Sequence, residues 1–313
     1  MNKIKELEPG MDNVEFRAII SQVTVGKTNG ANKSNYLNLT LQDSTGILDA
    51  KMWSVKKEDI EAFVQGTVVE GKGDIIKYSG ARQMKVIKMT AIEMTDEQKS
   101  AFLPKAPLDK DIMIKDIEDT IAGMKNEDYK TLTSALIEEH RDEFILFPAA
   151  SRNHHEFISG LIYHTYCMLQ LAKSAAKMYQ SLDEDLLFAG VILHDIGKIR
   201  ELSGPITPHY TVEGNLLGHI SIGAMMISEK AKELGINDEH VQLLIHMILS
   251  HHGKNEYGSP VLPQLKEAEV LYLIDNIDAR MNMFLKAEDQ VEEGEYTKRI
   301  FALENRNVYK MKK

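Results

Sequence analysis

Residues 183–198 read DEDLLFAGVILHDIGK. Eleven residues, 183–193, predict an apolar helix with three acids in its first turn, where carboxylates suit the positive end of the helix dipole. His194 and Asp195 fall at its C-terminal end, and Gly197 is expected to stop it in the left-handed conformation. Adjacent helical positions point about a third of a turn apart. The pair can therefore reach one metal together, or the carboxylate can bridge two. Lys198 lies just past the cap, placed to meet a phosphate oxygen.

All eleven histidines lie between His140 and His252. His164 sits in the apolar stretch GLIYHTYCML (160–169), where a lone histidine would ordinarily be a core residue. His219 opens HISIGAMM, and His251-His252 close the helix predicted over 241–252, before a capping Gly253. Beyond the window, Asp275 lies inside VLYLIDNIDA (270–279), and a carboxylate in so apolar a helix needs a partner. Asp278 shares its face at i+3 and is read as the group behind a ligand. His246 is set aside as packing, and His140, His209 and His240 as bystanders. Imidazole and carboxylate are ligands of borderline and hard divalent metals.

Upstream the pattern changes. Leu37, Leu39 and Leu41 alternate with polar neighbours as in a half-buried strand, a turn follows at 42–46, and a strand resumes over 47–53. A short helix over 56–63 and a hairpin of 68–78 with 83–92 around Ser79-Gly80 complete the region. Three strands, a short helix and two more strands predict a five-stranded OB-fold β-barrel, a module that often binds oligonucleotides. Tyr36, Trp53 and Tyr78 are its candidate base-stacking rings. Lys33, Lys51, Arg82 and Lys85 are its candidate backbone contacts. Each aromatic has ordinary barrel packing as its competing explanation.

The expected organisation is multidomain α and β: the barrel over 1–95, a polar linker over 96–110 with two prolines, an all-α domain over 111–295 and a basic segment over 296–313. Ile112, Ile117, Ile121 and Met124 recur near helical spacing in the first helix of the α domain, and 126–140 makes the next. The charge follows these divisions. Residues 1–95 hold 13 Lys+Arg against 12 Asp+Glu, whereas the whole chain of 313 residues carries −10. That balance argues against a protein that coats nucleic acid indiscriminately. Segment 296–313 reverses sign, with six basic residues and one acid, and reads either as a second basic edge or as a solvated terminal helix. The single cysteine, Cys167, fits a reducing cytoplasm. The N-terminus MNKIKELEPGMDNVEF has no apolar signal region, and no apolar run approaches membrane-span length.

The order His, His-Asp, His, His-His, Asp, at gaps of 30, 25, 32 and 24 residues, resembles the HD-domain phosphohydrolases. His194-Asp195-Ile196-Gly197-Lys198 matches their short motif, His164 and Asp275 their outer ligands, and His219 with His251-His252 the members that hold two metals. The whole layout, together with the stretch 153–165, is similar to the bacterial YhaM 3′→5′ exoribonuclease family, in which a barrel precedes an HD domain. Ser159 stands where related HD proteins often have glycine. The resemblance implies one metal held by His164, His194, Asp195 and Asp275. It implies a second held by His219, His251 and His252, the last two interchangeable as first ligand, with Asp195 bridging.

Two divalent ions then supply charge compensation for phosphodiester hydrolysis. Manganese is the expected ion, with iron, cobalt, zinc and magnesium as alternatives. Asp195 and Lys198 would be catalytic, with His154 and His155 binding phosphate or protonating the leaving oxygen, or else merely capping and packing. The expected substrate is single-stranded RNA taken from its 3′ end, with single-stranded DNA also accepted and a homo-oligomer as a further expectation. The alternatives are a nucleotide or cyclic-dinucleotide phosphohydrolase with a regulatory barrel, and a non-enzymatic single-strand-binding protein. A complete ligand set disfavours the last.

Overall fold

The computed structural model describes residues 1–28, 33–78, 81–103, 106–149, 157–206, 208–236, 238–289 and 291–312. Two compact units divide the chain, residues 1–105 and 106–313.

The first unit is a closed barrel of β1 (Val14–Lys27), β2 (Asn35–Asp43), β3 (Gly46–Val55), β4 (Val68–Tyr78) and β5 (Ala81–Ile92), with α1 (Lys57–Ala62) between β3 and β4. Its spatial order, β1-β2-β3-β5-β4, is that of an OB-fold, and only β3 and β5 run parallel. Alternation explains the strands: Leu37, Leu39 and Leu41 of β2 fill the interior with Phe16, Ala18 and Ile20 of β1 and Ile75 and Met84 of the last two strands. Buried Asp43 receives the backbone N–H groups of Ile4 and Thr45 at 3.0 and 2.7 Å, so it ties the N-terminal turn to the β2–β3 turn. The predicted hairpin tip, Ser79-Gly80, lies outside the described residues. Residues 96–102, expected within the linker, form the short α2 (Asp96–Lys99) and a 3-10 turn.

The second unit is helical: α3 (Lys110–Ala122), α4 (Glu127–Glu139), α5 (Arg141–Leu146), α6 (Gly160–Met178), α7 (Glu184–Leu193), α8 (Lys198–Glu201), α9 (Val212–Leu234), α10 (Asp238–Ser250) and α11 (Lys266–Glu288). In α3 the buried positions are Met113, Ile114, Ile117 and Ile121, whereas Ile112, expected in that stripe, is exposed. The apolar residues of α7 leave no polar face, so it is the central helix: seven of its ten residues are buried among α3, α4, α6, α10 and α11. Asp183 caps it by accepting from the Leu186 N–H at 3.0 Å.

Gly197 does not take the expected left-handed cap. Its backbone is right-handed (φ −61°, ψ −18°), and it leads directly into α8. Glycine is required here for a different reason: a Cβ would overlap the carbonyl oxygen of His219 and crowd the Gly223 N–H. Gly253 does adopt the expected left-handed turn, at φ +74°. The basic tail is not a helix. It folds back as an antiparallel hairpin with bridges Tyr296–Tyr309 and Ile300–Arg306.

Candidate metal centre

Five helices converge their ends or faces on one buried spot. His164 comes from α6, His194 and Asp195 from the end of α7, His219 from α9, His251-His252 from the turn after α10, and Asp275 from α11. His219 is placed by a kink, since Gly218 (φ +71°, ψ +153°) breaks α9 just before it. His164, His194, Asp195 and His251 are at most 2% exposed.

Asp195 stands at the middle. Its Oδ2 lies 3.2 Å from His194 Nε2 and 3.8 Å from His164 Nε2, while its Oδ1 lies 3.5 Å from His219 Nε2 and 3.9 Å from His251 Nε2. Asp275 Oδ1 is 3.2 Å from His164 Nε2. The donor atoms thus form two sets, His164-His194-Asp195 and His219-His251-His252, each with its atoms within 4.8 Å of one another.

Every ring is aimed by its other nitrogen. His194, His251 and His252 place Nδ1 2.8, 2.7 and 2.8 Å from the carbonyl oxygens of Val191, Ile248 and Tyr257. A carbonyl only accepts, so Nδ1–H donates and Nε2 presents its lone pair inward. His164 turns Nδ1 to Asp278 Oδ2 at 2.6 Å, and His219 turns Nδ1 to Glu201 Oε1 at 3.0 Å. Glu201 also accepts the His219 backbone N–H at 2.9 Å, so it fixes both ring and backbone. Spacing alone did not single out Glu201. The available signal was the series Asp195, Lys198, Glu201, three residues apart and therefore nearly aligned along one side.

The electrostatics suit a cation. Burial alone would raise the Asp195 carboxyl, but Lys198, with Nζ 2.6 Å from Oδ2, and the neighbouring histidines hold it well below the usual carboxylate range. Burial together with His252 pushes His251 down, which keeps it neutral. For His164 burial acts downward, but Asp275 and Asp278 outweigh it and push the ring up to about 10. Asp195 Oδ1, His219 Nε2 and His251 Nε2 are buried without a hydrogen-bond partner. Orphaned buried acceptors cost free energy, and a divalent ion among them would remove that cost, so the residues fit a divalent metal.

Lys198 is not free to meet a phosphate as it stands; it is buried against Asp195. His154 and His155 lie outside the described residues. His246 accepts the Gln264 N–H at 2.9 Å and is a structural acceptor, and His240 pairs with Asp128 at 2.6 Å.

On the barrel, Tyr36 and Trp53 meet with ring centroids 4.9 Å apart, and Lys51 Nζ lies 4.9 Å from each centroid. Trp53 is 45% exposed. Lys85 pairs with Lys51 in the β3–β5 register, so both project from the same side. Lys33 and Tyr78 are exposed. Arg82, also a candidate backbone contact, donates through Nη1 to the Ile4 and Leu7 carbonyls at 3.3 and 3.1 Å, which binds the N-terminal turn to β5.

The HD-domain family model matches residues 161–280, a span that contains all seven candidate ligands. The 3′-5′ exoribonuclease YhaM of Bacillus subtilis is 50% identical over 281 residues, covering 90% of each chain. YhaM of Bacillus pumilus is 46% identical, covering 96% of this chain and 95% of its own. The chain belongs to the YhaM 3′-5′ exoribonuclease family. Among solved structures, the second OB-fold domain of replication protein A from Methanococcus maripaludis matches at 20% identity. It covers 30% of this chain and 96% of its own, with a TM-score of 0.24. The barrel assignment rests instead on the strand order, β1-β2-β3-β5-β4. The family's 3′-5′ exoribonuclease name fits a chain that pairs a barrel with a buried His/Asp cluster.

Proposed function

We propose that this chain is a metal-dependent 3′→5′ exoribonuclease that hydrolyses single-stranded RNA, and also single-stranded DNA, from the 3′ end. The observation that carries the reading is the division of Asp195: one carboxylate oxygen faces His164 and His194, the other His219 and His251. We read Asp195 as the carboxylate that the two ions would share. His164, His194, Asp195 and Asp275 would hold one ion, and His219, His251 and His252 with Asp195 the other.

When bound, the ions supply Lewis acidity for water and charge compensation for the phosphoryl oxygens. Manganese is our assignment; mixed imidazole and carboxylate donors suit iron, cobalt and zinc as well, and availability selects among them. The chain's own groups do the rest. Asp278 and Glu201 keep the rings of His164 and His219 turned inward. Lys198 balances Asp195, and we assign it the phosphate once cations take over that balance. His154 and His155, just upstream of α6, are assigned to the leaving group. The Tyr36–Trp53 pair with Lys51, Lys85 and Lys33 stacks bases and contacts the backbone upstream of the 3′ end, and Tyr78 adds an exposed ring.

We place the enzyme in the cytoplasm, as a homo-oligomer. Among the described residues no helix is long and apolar enough to cross a membrane.

The test uses 5′-labelled single-stranded RNA with manganese, beside the same RNA with its 3′ end blocked. A ladder that shortens from the 3′ end only on the open RNA is expected. Turnover of free nucleotides or cyclic dinucleotides with intact RNA would overturn the reading. Asp195→Ala is expected to abolish hydrolysis and to change RNA affinity less than about twofold, since the stacking surface does not include Asp195.

A further inference from the structure

Residues 296–313 hold six Lys+Arg and one Asp+Glu, while the preceding stretch 96–295 holds 18 and 34. The one acid, Glu304, is neutralised locally: Arg280 on α11 grips it through two bonds, at 2.6 and 2.9 Å. The segment is built as a hairpin. Gly294 and Thr297 donate to the Lys310 and Val308 carbonyls, each at 2.8 Å, and Ile300 to Arg306 at 3.0 Å. Thr297, Leu303 and Val308 point inward and are buried.

The opposite face is aromatic and basic. Tyr296 and Tyr309 face each other across the hairpin with centroids 5.0 Å apart and are 69% and 42% exposed. Lys298, next to buried Thr297, is exposed. At the turn, exposed Arg299 precedes Phe301, which is 91% exposed. Rings without burial beside cations form a surface suited to bases and phosphates.

Its position matters as much as its composition. Arg280, which pins the hairpin, lies five residues past Asp275 on α11, about 7.5 Å along the helix axis. Arg306 of the hairpin lies over the ring of Phe284 on the same helix, 5.5 Å from its centroid. The hairpin is thus anchored to the helix that carries Asp275.

We propose that this hairpin is a second single-stranded RNA surface, on which Tyr296, Tyr309 and Phe301 stack bases and Lys298 and Arg299 neutralise phosphates. The inference rests on the ribonuclease reading and extends it: the acidic catalytic unit carries its own grip on the strand, separate from the barrel.

The test is made on the full chain with manganese, using a fluorescein-labelled RNA of about 20 nucleotides with 3′-terminal phosphorothioate linkages, read by anisotropy across a salt series. Lys298→Ser/Arg299→Ser is expected to weaken binding at least tenfold. The same pair should lower the slope of log affinity against log salt by about 1.4, at about 0.7 for each phosphate no longer neutralised. Tyr296→Ala/Phe301→Ala is expected to weaken binding at least tenfold with the slope unchanged. Both variants should hydrolyse bis(p-nitrophenyl) phosphate within twofold of the parent, which reports an intact centre. Unchanged RNA affinity in both would overturn the proposal. So would a lower sedimentation coefficient of the aromatic variant at unchanged RNA affinity, which assigns the hairpin to contacts between copies of the chain. A parent that binds RNA but never shortens it refutes the ribonuclease reading alone, because the binding series still reads the hairpin.

Discussion

Gly197 lies against the carbonyl of His219 so closely that a methyl group in place of its hydrogen would overlap the oxygen. The contact holds the turn carrying His194 and Asp195 against the helix carrying His219, so it sets the spacing of the two donor sets. Gly197→Ala is expected to force these segments apart. Overpacking of this kind costs about 1–3 kcal/mol. Urea denaturation should show that loss, and calorimetric titration with manganese should show weakened binding. Parent-like metal affinity would mean that the contact does not set the spacing.

Glu201 holds both the ring and the backbone of His219. Glu201→Gln keeps the shape and removes the charge. Loss of such a supporting group weakens metal affinity by about 10–100-fold. Because Glu201 supports only His219, one of two binding events in a titration should weaken and the other should persist. Equal weakening of both would refute the assignment.

Trp53 is the chain's one tryptophan and stands half-exposed beside Tyr36 under Lys51. RNA binding should quench its fluorescence. Trp53→Ala should raise KM for a long RNA by the loss of one stacked base, about 1–3 kcal/mol, while kcat stays near the parent value. Fluorescence that ignores RNA would exclude this face.

Ser159 precedes α6 with φ +64° and ψ +25°, a left-handed backbone. A side chain there costs about 1–2 kcal/mol, and glycine avoids it at some entropic cost in the unfolded chain. Ser159→Gly is therefore expected to stabilise the protein by about 0.5–1 kcal/mol in equilibrium denaturation. It also accounts for the one position at which the sequence departs from the HD pattern: serine occupies a site whose backbone suits glycine.

Burial pushes the Cys167 thiol up to about 11, reinforced by the charge of Asp278. The folded state thus favours the neutral thiol. Alkylation of the native protein by iodoacetamide should stay slow through pH 9 and accelerate only as pH approaches 11. The unfolded chain should react from about pH 8.5, the ordinary thiol range. A native rate that rises near pH 8.5 would contradict the burial.

Much of the fold was legible because local pattern decided it. The alternation of Leu37, Leu39 and Leu41 marks a strand whatever its partners, and the apolar run 184–193 ends at His194 in the structure as its sequence predicts. Pattern failed where one residue answers to a distant neighbour. Gly197 has the place of a cap and is a close contact; Ile112 fits the helical period and faces solvent.

The donor types, their order along the chain and the barrel before them are properties of the sequence by itself, since residue identity and period need no third dimension. The aim of those donors is not. Asp195 offers one oxygen to each histidine set, and Glu201 and Asp278 turn their rings inward, only because helices distant in sequence pack their ends together. A hydrogen bond depends on a few tenths of an ångström, and that is set by tertiary packing rather than by spacing along the chain.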